Sequence, residues 1–182
     1  MIPVEYLWIA LIIVFGVTGI VRGLWKELGV TTVLMLSLFV LTFGWKQIGS
    51  KIVDVFPGNT PADTIMAIYY IVPIIFVAFI AYEGVSLEFP IREMKGLVKA
   101  MLGLPGGLLN GFLIVGTIWY AVSYADYFDL KVPMGSSGAT VAISDSLTSL
   151  HGTLVHYLPV SFINEYVLLL VGMILLVAII LK

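Results

Sequence analysis

The residues that could do chemistry in this 182-residue chain are few and far apart. His151 and His156 stand five apart, so on a helix they share no face, and two histidines cannot make an all-histidine metal site. Ser136 to Ser149 holds several hydroxyls and Asp145, just ahead of His151. Those are the ingredients of a nucleophilic triad. The stretch lacks a nucleophile elbow and a glycine-rich oxyanion loop, so loop composition explains it better. The glycines at 103–111 interrupt an apolar helix rather than follow a strand, which excludes a phosphate-binding loop. With no cysteine, thiol catalysis, disulfides and iron–sulfur clusters are excluded. The expectation is a non-enzyme with no cofactor and no metal.

The elements that must carry these residues are hydrophobic. The chain is 60% hydrophobic and 11% charged, with a mean hydropathy of +1.11, where a soluble domain has about 25% charged residues. Nine basic against eleven acidic residues leave a net charge of −2, with no excess for nucleic acid. The composition is that of an integral membrane protein. No cleavable signal peptide is expected, because Met1 to Glu5 has no basic flank.

The apolar windows predict an all-α bundle of about five transmembrane helices. Four spans lie at about 4–22, 28–43, 61–82 and 105–124, and a C-terminal span at 166–182 ends on Lys182. A single helix over residues 4–43 would be about 60 Å long, twice the hydrocarbon thickness, so Arg22 to Glu27 is read as the turn of a helical hairpin. Proline at 73 is expected to kink the third span and Pro105 to break the start of the fourth.

Short interfacial helices are predicted between the spans. Trp45, Ile48, Ile52 and Phe56 recur at helical spacing. Arg92, Lys95 and Lys99 share one face of a stretch from Ile91 to Gly103, suited to anionic lipid headgroups. Leu147, Leu150, Leu154 and Leu158 form a stripe on an outer-loop helix over about 144–158, capped by Ser144 and ended by Pro159. With five spans, Arg22, Lys26, Arg92, Lys95, Lys99 and Lys182 fall on one side, which makes that side cytoplasmic and places the N-terminus outside.

No ionisable residue is expected at mid-span; Glu5 and Arg22 sit at opposite ends of the first span and cannot pair. What recurs instead is glycine. Gly103, Gly107 and Gly111 are spaced by four, as are Gly19 and Gly23, and such small-residue stripes let helix backbones approach closely. Asn110 beside the ridge is expected to make an interhelical hydrogen bond. The ridge serves either packing within the bundle or docking of another subunit, and pore lining by Asn110, Thr117 and Tyr120 is a third reading.

Together, Glu5 before an apolar run, Arg22-Gly23-x-x-Lys26-Glu27 at the hairpin, Gly103-x-x-x-Gly107-x-x-Asn110-Gly111 in the fourth span and Tyr157-Leu158-Pro159 resemble the CvpA family, the colicin V production proteins of bacterial inner membranes. The resemblance covers about residues 4–160 as a four-span membrane domain, with the last span as an addition. Departures are Glu5 where the family has Asp, Lys99-Ala100 in place of an Asp-Arg pair, and Asn110 in place of an arginine before Gly111. Membership implies the bacterial cytoplasmic membrane and no recognised catalytic residue. The expected function is a non-catalytic accessory or scaffold subunit that contacts lipid and packs against other integral membrane proteins, or against itself, in a larger and possibly energy-transducing complex. The alternative is a small transporter or channel component acting as an oligomer.

Overall fold

The computed structural model describes residues 4–56, 58, 60–83, 96–134, 139–143 and 147–181. Seven helices are described: α1 (Val4–Arg22), α2 (Leu24–Val55), α3 (Ala62–Glu83), α4 (Leu97–Tyr124), α5 (His151–His156), α6 (Pro159–Phe162) and α7 (Glu165–Ile180). Among the described residues, α1 to α4 are long and apolar enough to cross a membrane. The 16 residues of α7 reach only about 24 Å at the helical rise.

Two helices run further than the hydropathy windows suggest. The pieces predicted as a second span and a separate interfacial helix are one continuous α2 of 32 residues. Gly44 between them is a lone glycine, which costs helix stability without ending a helix, and the first proline comes only at Pro57. In the same way α4 begins at Leu97, just after Gly96 in a left-handed conformation (φ 63°), and passes through Pro105. Pro105 does not break the start of the span. Pro73 likewise lies inside a continuous α3.

Between α1 and α2 stands Gly23 alone, with φ 89°, a conformation that only glycine adopts freely. The expected hairpin therefore turns at one residue. Its two arms do not pack mainly on each other, because α1 lies along α4. α2 and α4 form the centre of the bundle, with α3 against both and α7 against α2. The main core joins Val30, Leu34 and Leu38 of α2, Ile74 and Ala81 of α3, Leu113 and Ile114 of α4, and Leu168 of α7. A second cluster joins Leu41, Met66, Ala67, Tyr70 and Ala121.

The chain is not wholly helical. β1 (Lys131–Met134) and β2 (Ala139–Ala142) pair antiparallel, with Lys131 opposite Ala142. Four-residue strands are too short to show a period in the sequence. The helix expected over about 144–158 is also shorter than predicted: α5 covers His151 to His156, and Pro159 starts α6 as its first residue rather than ending a longer helix. Ser144, its expected cap, lies outside the described residues, as do Arg92 and Lys95.

Candidate functional site

The glycines of the α1–α4 seam stand where backbone meets backbone. A side chain on Gly19 would strike the carbonyl oxygen of Gly103 and, at 2.8 Å, the Cα of Gly107. One on Gly107 would strike the carbonyl oxygen of Phe15, and one on Gly111 would come within 2.7 Å of Phe15 Cβ. At Gly23 the stem of Lys99 lies over the turn, 2.8 Å from the site of a Cβ. Lys99 thus sits in the first turn of α4, packed against the α1–α2 junction.

At this end of the seam lies a buried charge. Placed one turn inside α2, and so not at mid-span, Glu27 nonetheless has no exposure to solvent. Reading residues 22–27 as a turn put Glu27 at the interface. Starting α2 at Leu24 instead puts it within the bundle. Gly106 of α4 makes the room, since a Cβ there would come within 3.0 Å of Glu27 Cβ.

Glu27 is held from the other three long helices. Arg22 Nε of α1 lies 2.9 Å from its Oε1, a close ion contact poorly aligned for a hydrogen bond. The Tyr82 hydroxyl of α3 donates to Oε2 at 3.0 Å. Asn110 Nδ2 of α4 donates to the same Oε2 at 2.8 Å and to the Glu27 backbone carbonyl at 2.9 Å. Thr31 of α2 donates to Asn110 Oδ1 at 2.7 Å. Arg22 is bound in turn: Nη1 donates to the Tyr82 carbonyl at 2.9 Å, and the guanidinium carbon sits 4.6 Å from the Tyr82 ring centroid. A buried carboxylate is tolerable only when paired and hydrogen-bonded in this way.

A second polar cluster closes the opposite end of α1. Glu5, 4% exposed, accepts at Oε1 from the backbone N–H of Thr148 at 2.9 Å and from its hydroxyl at 2.6 Å. His151 begins α5 with its N–H bonded to the Thr148 carbonyl at 3.0 Å. Its ring lies 3.2 Å (Nε2) from Ser123 Oγ, which also donates to the Tyr127 hydroxyl at 3.4 Å. Trp8 of α1 stacks on Trp119 of α4 at 6.1 Å, and Trp119 and Tyr127 each lie 6.0 Å from the imidazole. Burial pushes the His151 pKa below the ordinary imidazole value, and the Glu5 carboxylate pulls it part of the way back.

Of the residues singled out in the sequence, Arg22, Glu27 and Asn110 therefore meet in one cluster, and Gly19, Gly103, Gly107 and Gly111 in one seam. Glu5 is drawn into a different cluster, and His156 is exposed. Sequence reasoning missed Tyr82, Thr31, Ser123 and Thr148. Glu27 with Thr31 on α2, and Gly106 with Asn110 on α4, each repeat at four residues, and that matched pair of faces was the available clue. No protein-family profile, curated protein or solved structure matches this chain.

Proposed function

We propose that the chain is a non-catalytic, multi-pass subunit of the bacterial cytoplasmic membrane, CvpA-like in its first 160 residues, that works by packing against other integral membrane proteins in a larger complex. In this reading α7 and its flanks make a fifth crossing, the N-terminus is outside and the C-terminus is cytoplasmic. The observation that carries it is the one-sided burial of α1. Its glycine face is consumed by α4, while Val14, Val17 and Val21 on the other side are 59%, 55% and 72% exposed. Only 17% of the α1 apolar window is buried, against 56% for α4. Together with Ile13 and Thr18 these valines line a shallow groove that ends at Arg22. An edge helix fixed along one face presents the other to a partner. Purification in mild detergent tests the reading. A stable second membrane protein in the preparation is expected, and a lone monomer with nothing attached contradicts it.

One observation favours a transporter or channel component as the second reading. Ionisable groups inside membrane bundles mark transport paths by default, and Glu27 is such a group. Solute or ion flux in proteoliposomes that is lost in Asn110→Leu supports this reading; flux that is unaffected argues against a path at Asn110.

A further inference from the structure

Four buried polar atoms at the Glu5 end of the α1–α4 seam have no hydrogen-bond partner among the described residues: Glu5 Oε2, His151 Nδ1, Trp8 Nε1 and Trp119 Nε1. Each buried group of this kind calls for an occupant, most often water or an ion. Their side chains are linked through Thr148 and through ring contacts. Thr148 ties Glu5 to the residue three before His151, and its two donors engage only Oε1. That leaves Oε2 free. Trp8 stacks on Trp119, which lies beside the imidazole.

The arrangement also orients the imidazole. With Ser123 Oγ donating to Tyr127, the bond between Ser123 and the ring closes when Nε2–H donates to Oγ. Nδ1 is then the basic nitrogen. Two acceptors, Oε2 and Nδ1, are thus buried without a hydrogen-bond partner among the described residues, and two indole N–H donors are in the same state.

We propose that Glu5 and His151 form a proton-binding site at the Glu5 end of the seam, holding one proton between Oε2 and Nδ1 through buried water that the Trp8 and Trp119 indoles help to anchor. The proton comes from solvent and needs no other reactant. The charged and titratable neighbours are few among the described residues. α1 supplies Glu5, the turn after α4 supplies buried Tyr127 with Asp126 and Asp129 exposed, and α5 carries exposed His156. Occupancy alters how residues 147–162 sit on the bundle, because Glu5–Thr148 and Ser123–His151 are bonds that dock this segment.

The test uses the full chain in detergent with Trp25→Phe and Trp45→Phe, leaving Trp8 and Trp119 as reporters that a protonated imidazole quenches. Fluorescence is followed from pH 8 to pH 4. A quench with its midpoint below about 6.5 is expected, the ordinary imidazole value. His151→Gln should abolish it. Glu5→Gln should lower the midpoint by about one pH unit, since an opposite charge nearby is worth about that much or more. A quench that survives His151→Gln, or a midpoint unmoved by Glu5→Gln with helix content intact, overturns the site. Glu5→Asp is the second route should Glu5→Gln not fold. It keeps the charge but withdraws it by one methylene, so the midpoint should fall by less; a midpoint equal to or above the parent's overturns the proposal.

Discussion

Asn110 of α4 donates both amide hydrogens to a single residue of α2, one to the Glu27 carboxylate at 2.8 Å and one to the Glu27 backbone carbonyl at 2.9 Å. Asn110 thus locks α4 to α2 through a charged group and a main-chain group at once, while its own Oδ1 accepts from the Thr31 hydroxyl. Removing the amide strips one donor from a fully buried carboxylate. Asn110→Leu should therefore lose about 2 kcal/mol of stability, the typical cost of losing a hydrogen bond to a buried charge. Unfolding midpoints in mixed detergent micelles check this. Asn110→Asp should be worse, because it sets a second carboxylate against the first.

Arg22 and Glu27 should be strongly coupled. Arg22→Met alone leaves Glu27 buried without its counter-charge and should cost about 3–5 kcal/mol, whereas Arg22→Met with Glu27→Met should cost much less than the two single losses added. A double-mutant cycle measured on the same unfolding transition decides it. Additive losses would mean that the 2.9 Å contact contributes little.

Where α1 meets α4, added volume should be punished according to what it strikes. Gly107→Ala puts a methyl against the Phe15 carbonyl and the Gly19 backbone, which cannot move without parting the helices. A loss of about 1–3 kcal/mol follows. Gly152→Ala meets nothing within 4 Å and should be neutral. Comparing the two variants by thermal unfolding separates helix–helix approach from a general penalty for replacing glycine.

Acid should weaken the docking of α5. Burial holds the His151 pKa below its unfolded value, so the unfolded chain binds the proton more readily. The stability that the neutral imidazole contributes is complete above about pH 6.5. It is lost as pH falls from there through the lowered folded value. Unfolding temperatures between pH 8 and pH 5 should fall, and His151→Gln should flatten that slope.

How much of this was legible in the sequence depends on the element. The bounds of α1 and α3 could be read closely, because Gly23, Pro61 and the charged or polar residues at their ends punctuate long apolar runs. α2 and α4 could not, since Gly44 and Pro105 look like boundaries while the backbone continues through them. The seam glycines could be listed from their spacing. Their partner could not, because spacing shows which face is smooth and not which helix lies on it. Glu27 was hidden for a related reason. A one-residue turn at Gly23 and a gap at Gly106 decide its burial, and both are tertiary facts. The β1–β2 ribbon and the left-handed turn at Asp126–Asp129, with φ near 45–57° in non-glycine residues, leave no periodic trace.

If the uncovered face of α1 docks another membrane protein, as proposed, that protein lies within reach of Val17. A photoreactive amino acid placed at Val17, 55% exposed on that face, and activated in native membranes tests it most directly. One discrete protein adduct is expected, and it should disappear when Val14 and Val21 are changed to bulkier Phe. Crosslinks to lipid alone, with no protein adduct, would contradict it.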